Sequence, residues 1–478
     1  MDNAVTEYLA EVHGITVGNT IYRHIAEWDA WRRGYYKPFH SFMEGRAGGV
    51  PVMRELYRLN MAQKICEDWA TLLFGEHTYI HAEDSFTSNW LSGRDGEHGF
   101  IGDTSLIRRS CALAEKAFAL GTGCAVLRID SADIKDGHLL PSARARLRIE
   151  TVDAQCIVPI SVGGDGMTEA AFVSETSERG RNLVYIELHR REDDGYVITN
   201  EWLERRDGEL VRLPQRGGVP HVIHTHSQIP FFSVLTPAVT NCIDERCGLG
   251  ASVYAQATDC LRGVDLAFNN FCRDLKLGGK KVFINRALVV RDEAGNTFTP
   301  DDVAQQLFMT VGDSDLAEET MISEHNPSLR TDENAAAVQH QLDYLSFRCG
   351  LGTRHYLFSG VQGKAQLTAT QYTGERQDLI QNTARHRLSA EKYLIGITRA
   401  ALWAARYVLG EAVDENTSLK VSFDDSYFID SESERERDRA EVAAGLMLPH
   451  EFRMKWRGES EEAAREILSG GGEKNEAE

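Results

Sequence analysis

The chain has 478 residues, 42% hydrophobic and 26% charged, the balance of a soluble globular protein with room for a large core; length alone suggests two to four domains. Lys and Arg total 52 against 72 Asp and Glu, a formal charge of -20 with a pI near 5.3, which argues against a conventional duplex-DNA-binding domain because such a domain needs a basic face to neutralise phosphates. The nine cysteines contain no CxxC pair, Cys242 and Cys247 being the closest two, so reduced thiols are expected rather than a disulfide framework.

The opening stretch, MDNAVTEYLAEVHG, carries acids and no apolar h-region, unlike a signal peptide. No run approaches the roughly 18 apolar residues of a membrane helix. The expectation is a soluble cytoplasmic product. Residues 52–74 place Leu56, Leu59, Ile65, Trp69, Leu72 and Leu73 near one helical face, and the spacing predicts a helix. A second helix is expected from about 105 to 120, stopped by Gly-Thr-Gly, a fitting C-terminal signal.

From CAVLRID onward the period changes to two. LRIETVD, CIVPI, EAAFVSE, NLVYIELHRR and GYVITNEWL read as short strands separated by turns such as GGDG and DDG, which predicts an antiparallel meander with helices packed on it. The fold class expected is α+β.

The second half has longer elements. Residues 250–276 repeat apolar groups at helical spacing and would span roughly 40 Å as a helix. KKVFINRALVV, DEAGNTFTPDD and MTVGDSD follow as strand and turn material, and ENAAAVQHQLDYLSFRCG as a shorter helix. After the loop that opens at Phe358, a proline-free run from Leu367 to Leu409 predicts a helix of roughly 60 Å, with Gly374 and Gly396 as bends or close-packing points. One strand, LKVSFDD, precedes a charged helix, SESERERDRAEVAAGL. A last helix, SEEAAREIL, leads to the tail SGGGEKNEAE, expected to be disordered.

Candidate chemistry is sparse. FSGVQGKAQLTATQ offers Gly363 and Lys364, but a Walker A loop needs an earlier Gly where Phe358 stands and a Ser or Thr where Ala365 stands. HVIHTH, residues 221–226, would put His224 and His226 on one strand face, with no Cys or carboxylate at recognised metal spacing. Asp424, Asp425 and Asp430 could serve Mg²⁺, yet the first two would point to opposite strand faces. Asp430 before Ser431 is better explained as a helix cap. No metal site and no cofactor is expected.

Several stretches, in order, resemble the portal proteins of tailed phages of Gram-positive bacteria. LNMAQKICEDWATLLFGEHTYI resembles the family's N-terminal helix and first strand; ALGTGCAVLRI and IVPISVGGDGMTEAAFVSE resemble its sheet. GLGASVYAQATDCLRGVDLAFNNFCRDLKLGGKKVFI resembles the helix entering its stem, and LSFRCGLGTRHYLF, TATQYTGERQDL and SFDDSYFIDSESERERDRAEVAAGLM complete the series. The likeness spans roughly residues 20–468 and lies in colinear order rather than in any one motif.

That resemblance implies a non-enzymatic ring subunit, usually dodecameric, at one capsid vertex of the virion, assembled in the host cytoplasm. It implies a conduit for genomic double-stranded DNA during packaging and ejection. The partners implied are the terminase, then head-completion, adaptor and tail proteins, together with major capsid and scaffolding proteins, and no membrane. On this sequence it implies a wing at 1–240, stem helix 1 at 241–276, a clip at 277–332 and stem helix 2 at 333–350. A channel loop at 351–366, a long kinked helix of the wing at 367–418 and a C-terminal strand and helical crown at 419–478 complete it. Gln362, Lys364 and Gln366 would be the loop groups that touch DNA. Val253, Cys260, Val264, Phe268 and Phe271 would be the stem face buried between subunits. Two alternatives stay open: a nucleotide- or phosphate-handling enzyme using Gly363 and Lys364 with Asp424 or Asp425, and another ring-forming capsid scaffold protein.

Overall fold

The computed structural model describes residues 2–44, 51–75, 78–93, 98–164, 166–214, 216, 218–279, 281–285, 307–310, 322–358, 377–423, 431–457 and 465. Helices α1 (Asn3–His13), α2 (Asn19–Arg32) and α3 (Lys37–His40) lead into a hairpin, β1 (Ser41–Glu44) and β2 (Val52–Glu55). Then come α4 (Met61–Leu73), β3 (Tyr79–Ala82), α5 (Ser85–Ser92), α6 (Phe100–Asp103) and α7 (Leu106–Leu120). The strand-rich region holds β4 (Gly123–Asp130), β5 (Asp133–Lys135), β6 (His138–Leu140), β7 (Arg146–Asp153), β8 (Ile157–Gly163) and β9 (Gly166–Glu178). It continues with β10 (Arg181–Glu192), β11 (Gly195–Arg206), β12 (Glu209–Arg212), β13 (Val222–His224) and β14 (Phe232–Leu235).

The α+β expectation holds. β8, β9, β10 and β11 pair consecutively and antiparallel, as the period-two runs predicted, and the sheet extends through β13 to β6 and β5. A separate three-stranded sheet runs β14-β4-β7. The main core lies between that sheet and α4, α7 and a later long helix; Trp69, Phe118 and Tyr393 are fully buried in it. A smaller core places Val5 and Leu9 of α1 on Val173, Val184 and Ile186 of the large sheet.

The second half contains α8 (Thr258–Leu277), then β15 (Lys281–Asn285), β16 (Leu307–Thr310) and β17 (Ile322–His325). β15 pairs parallel with β16 and antiparallel with β17. After these come α9 (Thr331–Arg348), α10 (Gln377–Ala404) with a π turn at Ala405–Leu409, β18 (Leu419–Ser422), α11 (Ser431–Ala443) and α12 (Pro449–Arg457). Of the long helix expected from 367, residues 377 onward are described; the first ten lie outside the described residues, as does Gly374. Gly396 is a close-packing point: a Cβ there would come within 2.5 Å of the Ser233 hydroxyl on β14.

Two expected helices start later than the spacing suggested. Residues 52–60 are a strand and an extended segment, because side chains of α8 take their backbone N–H groups: Asn269 accepts from Tyr57 at 3.2 Å and Asp265 from Leu59 at 2.8 Å. Residues 250–257 form turns because Val253 donates its N–H to the Phe118 carbonyl at 3.0 Å and Gly250 to the Thr122 hydroxyl at 2.9 Å. Distant hydrogen bonds outweigh helix propensity in both places. Helix α12 was not anticipated, and the SEEAAREIL stretch lies outside the described residues but for Arg465.

The Gly-Thr-Gly stop of α7 does more than end a helix. Gly121 sits at φ +85°, and a Cβ on it would meet the Gly250 carbonyl oxygen at 2.4 Å; a Cβ on Gly250 would meet the Gly121 oxygen at 2.3 Å. The two backbones touch because neither residue has a side chain. Gly121→Ala combines a left-handed conformation with that collision and should cost roughly 2 kcal/mol or more. A lowered urea midpoint with unchanged slope is the expected reading.

Candidate functional site: the helical hairpin and its anchorage

Helices α8 and α9 run antiparallel, and contacts between them set their relative heights. Arg330 and Asn334 reach Asp274, a Cβ on Gly263 would meet the Gln341 side chain, and Arg348 donates to the Gln256 carbonyl. β15, β16 and β17 lie between the helices in sequence, at the end where α8 stops and α9 starts. The pair packs on the core through Leu261 and Val264 of α8 and Val338, Leu342 and Leu345 of α9, all buried.

Asp265 ties the hairpin to the N-terminal region. The residue is 5% exposed, and its carboxylate accepts from the Leu59 N–H and from His40 Nε2 at 3.0 Å. Tyr36 N–H donates to His40 Nδ1 at 2.8 Å, so the ring proton sits on Nε2 and points at the carboxylate. Replacing Asp265 with Ala leaves the Leu59 N–H and the His40 N–H buried without acceptors, which should destabilise the protein by roughly 2–4 kcal/mol. Thermal or urea unfolding reads that loss.

The chain leaves α9 through Cys349 to Phe358, held in place by Gln339. That side chain donates to the Tyr356 carbonyl at 2.8 Å and accepts from the Phe358 N–H at 2.9 Å. Tyr356 donates its hydroxyl to Asp68 of α4 at 2.8 Å. Burial pushes Asp68 upward, but hydrogen bonds from His355, Lys64 and Tyr356 outweigh it and hold the carboxyl below its ordinary range. Burial, with Asp68 adjacent, pushes the Tyr356 hydroxyl far up. Gln362, Lys364 and Gln366 lie outside the described residues, as do Asp424, Asp425 and Asp430.

The proposed stem face is occupied from within the chain. Val253 precedes α8 rather than lying on it, and both Val253 and Val264 are buried in the subunit's own core. Cys260 and Phe268 are half-buried against that core, and the Phe268 and Phe271 rings stand edge-on to Phe358 at 6.3 and 5.7 Å. The helical periodicity therefore marked the inward face. Other apolar side chains are the exposed ones, among them Leu266, Leu275 and Leu277 on α8, Tyr344 and Phe347 on α9, and Leu357.

The histidines of HVIHTH divide. His221 binds back to the Asn200 carbonyl, whereas His224 and His226 both stack on His138, which sequence spacing had not connected to them. β13 ends at His224, and His226 turns with φ +58°, so the two do not share a strand face as expected. All nine cysteines are free thiols. No helix among the described residues is long and apolar enough to cross a membrane.

A cavity of about 500 Å³ lies between the eight-stranded sheet and the sheet β14-β4-β7, lined by Leu127, Ile129, Ile198, Ile223, Phe231 and Arg128 among others. Arg128 of β4 binds Glu150 of β7 and Glu187 of β10, bridging the sheets. Burial pushes the fully buried Glu187 up, but Arg128 and the hydrogen bond from His189 outweigh it and hold it at about 2, below its ordinary 4.5. Glu187 thus contributes stability above pH 4.5 that is lost as pH falls through about 2. In Glu187→Gln, the urea midpoint should lie below wild type near neutral pH, and the gap should narrow between about pH 5 and about pH 2.5.

No family model matches the chain, and no curated protein matches it. Among solved structures, it is similar to a chain described as the neck of a native GTA particle computed with C12 symmetry. The identity is 13%, the coverage 82% of this chain and 88% of that one, and the TM-score 0.36.

Proposed function

We propose that this chain is the subunit of a phage portal ring, the conduit through which genomic DNA enters and leaves a capsid. The observation that carries the reading is an order of elements. A helical hairpin, α8 and α9, brackets a small three-stranded sheet and is followed by a held segment to Phe358 and then by a long helix against the main core. That order coincides with the colinear stretches that resemble the portal family. In this reading α8 and α9 are the stem, β15–β17 belong to the clip, residues 351–366 form the channel loop, and α11 and α12 belong to the crown. The ring is a dodecamer at the virion's portal vertex, and it docks a terminase and then head-completion proteins.

The acidity fits such a role. Each subunit carries a formal charge of -20, and an acidic wall repels passing phosphates instead of gripping them. Each phosphate neutralised would add affinity and slow translocation. DNA contact is therefore weak, independent of sequence and confined to a few loop groups, Lys364 foremost. No catalytic step is assigned to the subunit.

Negative-stain imaging of the purified protein tests the reading: rings with a central hole are expected, and compact monomers at all concentrations would refute it. Lys364→Glu should leave ring assembly intact while slowing packaging or lowering DNA retention in a particle assay. Loss of assembly in that variant would place Lys364 at a subunit contact instead.

A further inference from the structure

We infer that the outward face of the α8–α9 hairpin is a head-to-tail contact between copies of this chain, α9 of one lying beside α8 of the next. The inference rests on the ring reading and assigns its contact to a face different from the one that apolar periodicity suggested. Leu266, Tyr344 and Phe347 are 45%, 64% and 56% exposed. On α9, Tyr344 and Phe347 lie away from the buried stripe of Val338, Leu342 and Leu345. Two exposed aromatics within one helical turn, rimmed by charge, mark a surface that another macromolecule covers.

The charges say which macromolecule. The height matches fixed by Asp274 with Asn334 and by Gln256 with Arg348 put Arg273 of α8 level with Glu333 of α9, and Asp259 of α8 level with Arg348 of α9. All four side chains are exposed. At each end the two helices thus carry opposite signs, and the signs reverse from one end to the other. Rotation about an axis parallel to the hairpin leaves every height unchanged. A neighbour generated by that rotation sets Glu333 against Arg273 and Arg348 against Asp259, with the aromatic side chains between them near Arg262. Packing α8 against α8 at the same height would oppose Arg273 to itself. Among copies related by an axis parallel to the hairpin, as in a ring, the pattern therefore favours α9 beside α8 over α8 beside α8. Among the described residues, Arg273 pairs with Glu44 at 3.6 Å and Asp259 with Arg262 at 2.9 Å, both at the surface, and Arg348 donates to Gln256.

The test uses the full-length chain and measures particle mass against protein concentration at low and moderate salt. Arg273→Glu and Glu333→Arg, each alone, should raise the concentration at half assembly by roughly threefold or more, because like charges then meet at every contact. An equimolar mixture of the two variants should restore assembly, since alternating copies pair opposite charges again. Tyr344→Glu should raise the half-assembly concentration about tenfold or more, with an unchanged urea midpoint for the monomer. Wild-type behaviour of both charge variants, or a mixture no better than either alone, overturns the face and leaves the ring reading standing. A wild-type chain that never assembles removes both.

Discussion

The second half of the molecule hangs on one buried carboxylate. Asp265 lies on α8, yet it satisfies a backbone N–H at Leu59 and the His40 ring, and so fixes α8 against residues that precede α4. Asn269, one turn further on, does the same for Tyr57. A carboxylate accepting two hydrogen bonds at a buried site makes charge-assisted bonds, and its removal strands both donors. Once α8 is held there, α9 follows by antiparallel packing, and the hairpin can bury only its inner stripe. Which residues remain outside is settled by that anchorage rather than by the hydrophobic pattern alone.

The first half depends on a comparable device. The three-stranded and the large sheet meet across a cavity, and the Arg128–Glu187 pair crosses the gap with Glu150 and His189 completing the polar set. Buried ion pairs contribute little net stability, but they penalise any arrangement that separates the partners. The pair therefore acts on the register between sheets more than on their overall free energy. The apolar walls, with Ile129, Ile198 and Phe231, provide the burial.

Much of the scaffold was legible in the sequence because its signals are local. The strands from Gly123 to Arg206 are apolar runs set off by turn residues, some of them buried continuously, and α7 ends where glycine allows it. What escaped were segments whose backbone hydrogen bonds go to distant partners: residues 56–60 captured by α8, and residues 250–257 captured by the end of α7 and Thr122. Periodicity identified the apolar stripe of α8 correctly as a buried face, but it could not say what buries it. Phe268 and Phe271 meet Phe358 of the same chain. Tyr344 and Phe347 held the opposite clue, being aromatic residues off the stripe set by Val338, Leu342 and Leu345. Lys364 lies between α9 and α10 in sequence, outside the described residues.

The contact between Gly121 and Gly250 has a genetic corollary. In most packed sites a bulky replacement can be relieved by trimming the neighbour that it strikes. Here the atom struck is a backbone carbonyl oxygen on either side, and every amino acid carries one. No side-chain change at the opposing position can make room, so a search for second-site suppressors of either glycine should recover true revertants or changes that shift whole segments. These two positions are joined as a pair of absences, and neither can compensate for the other.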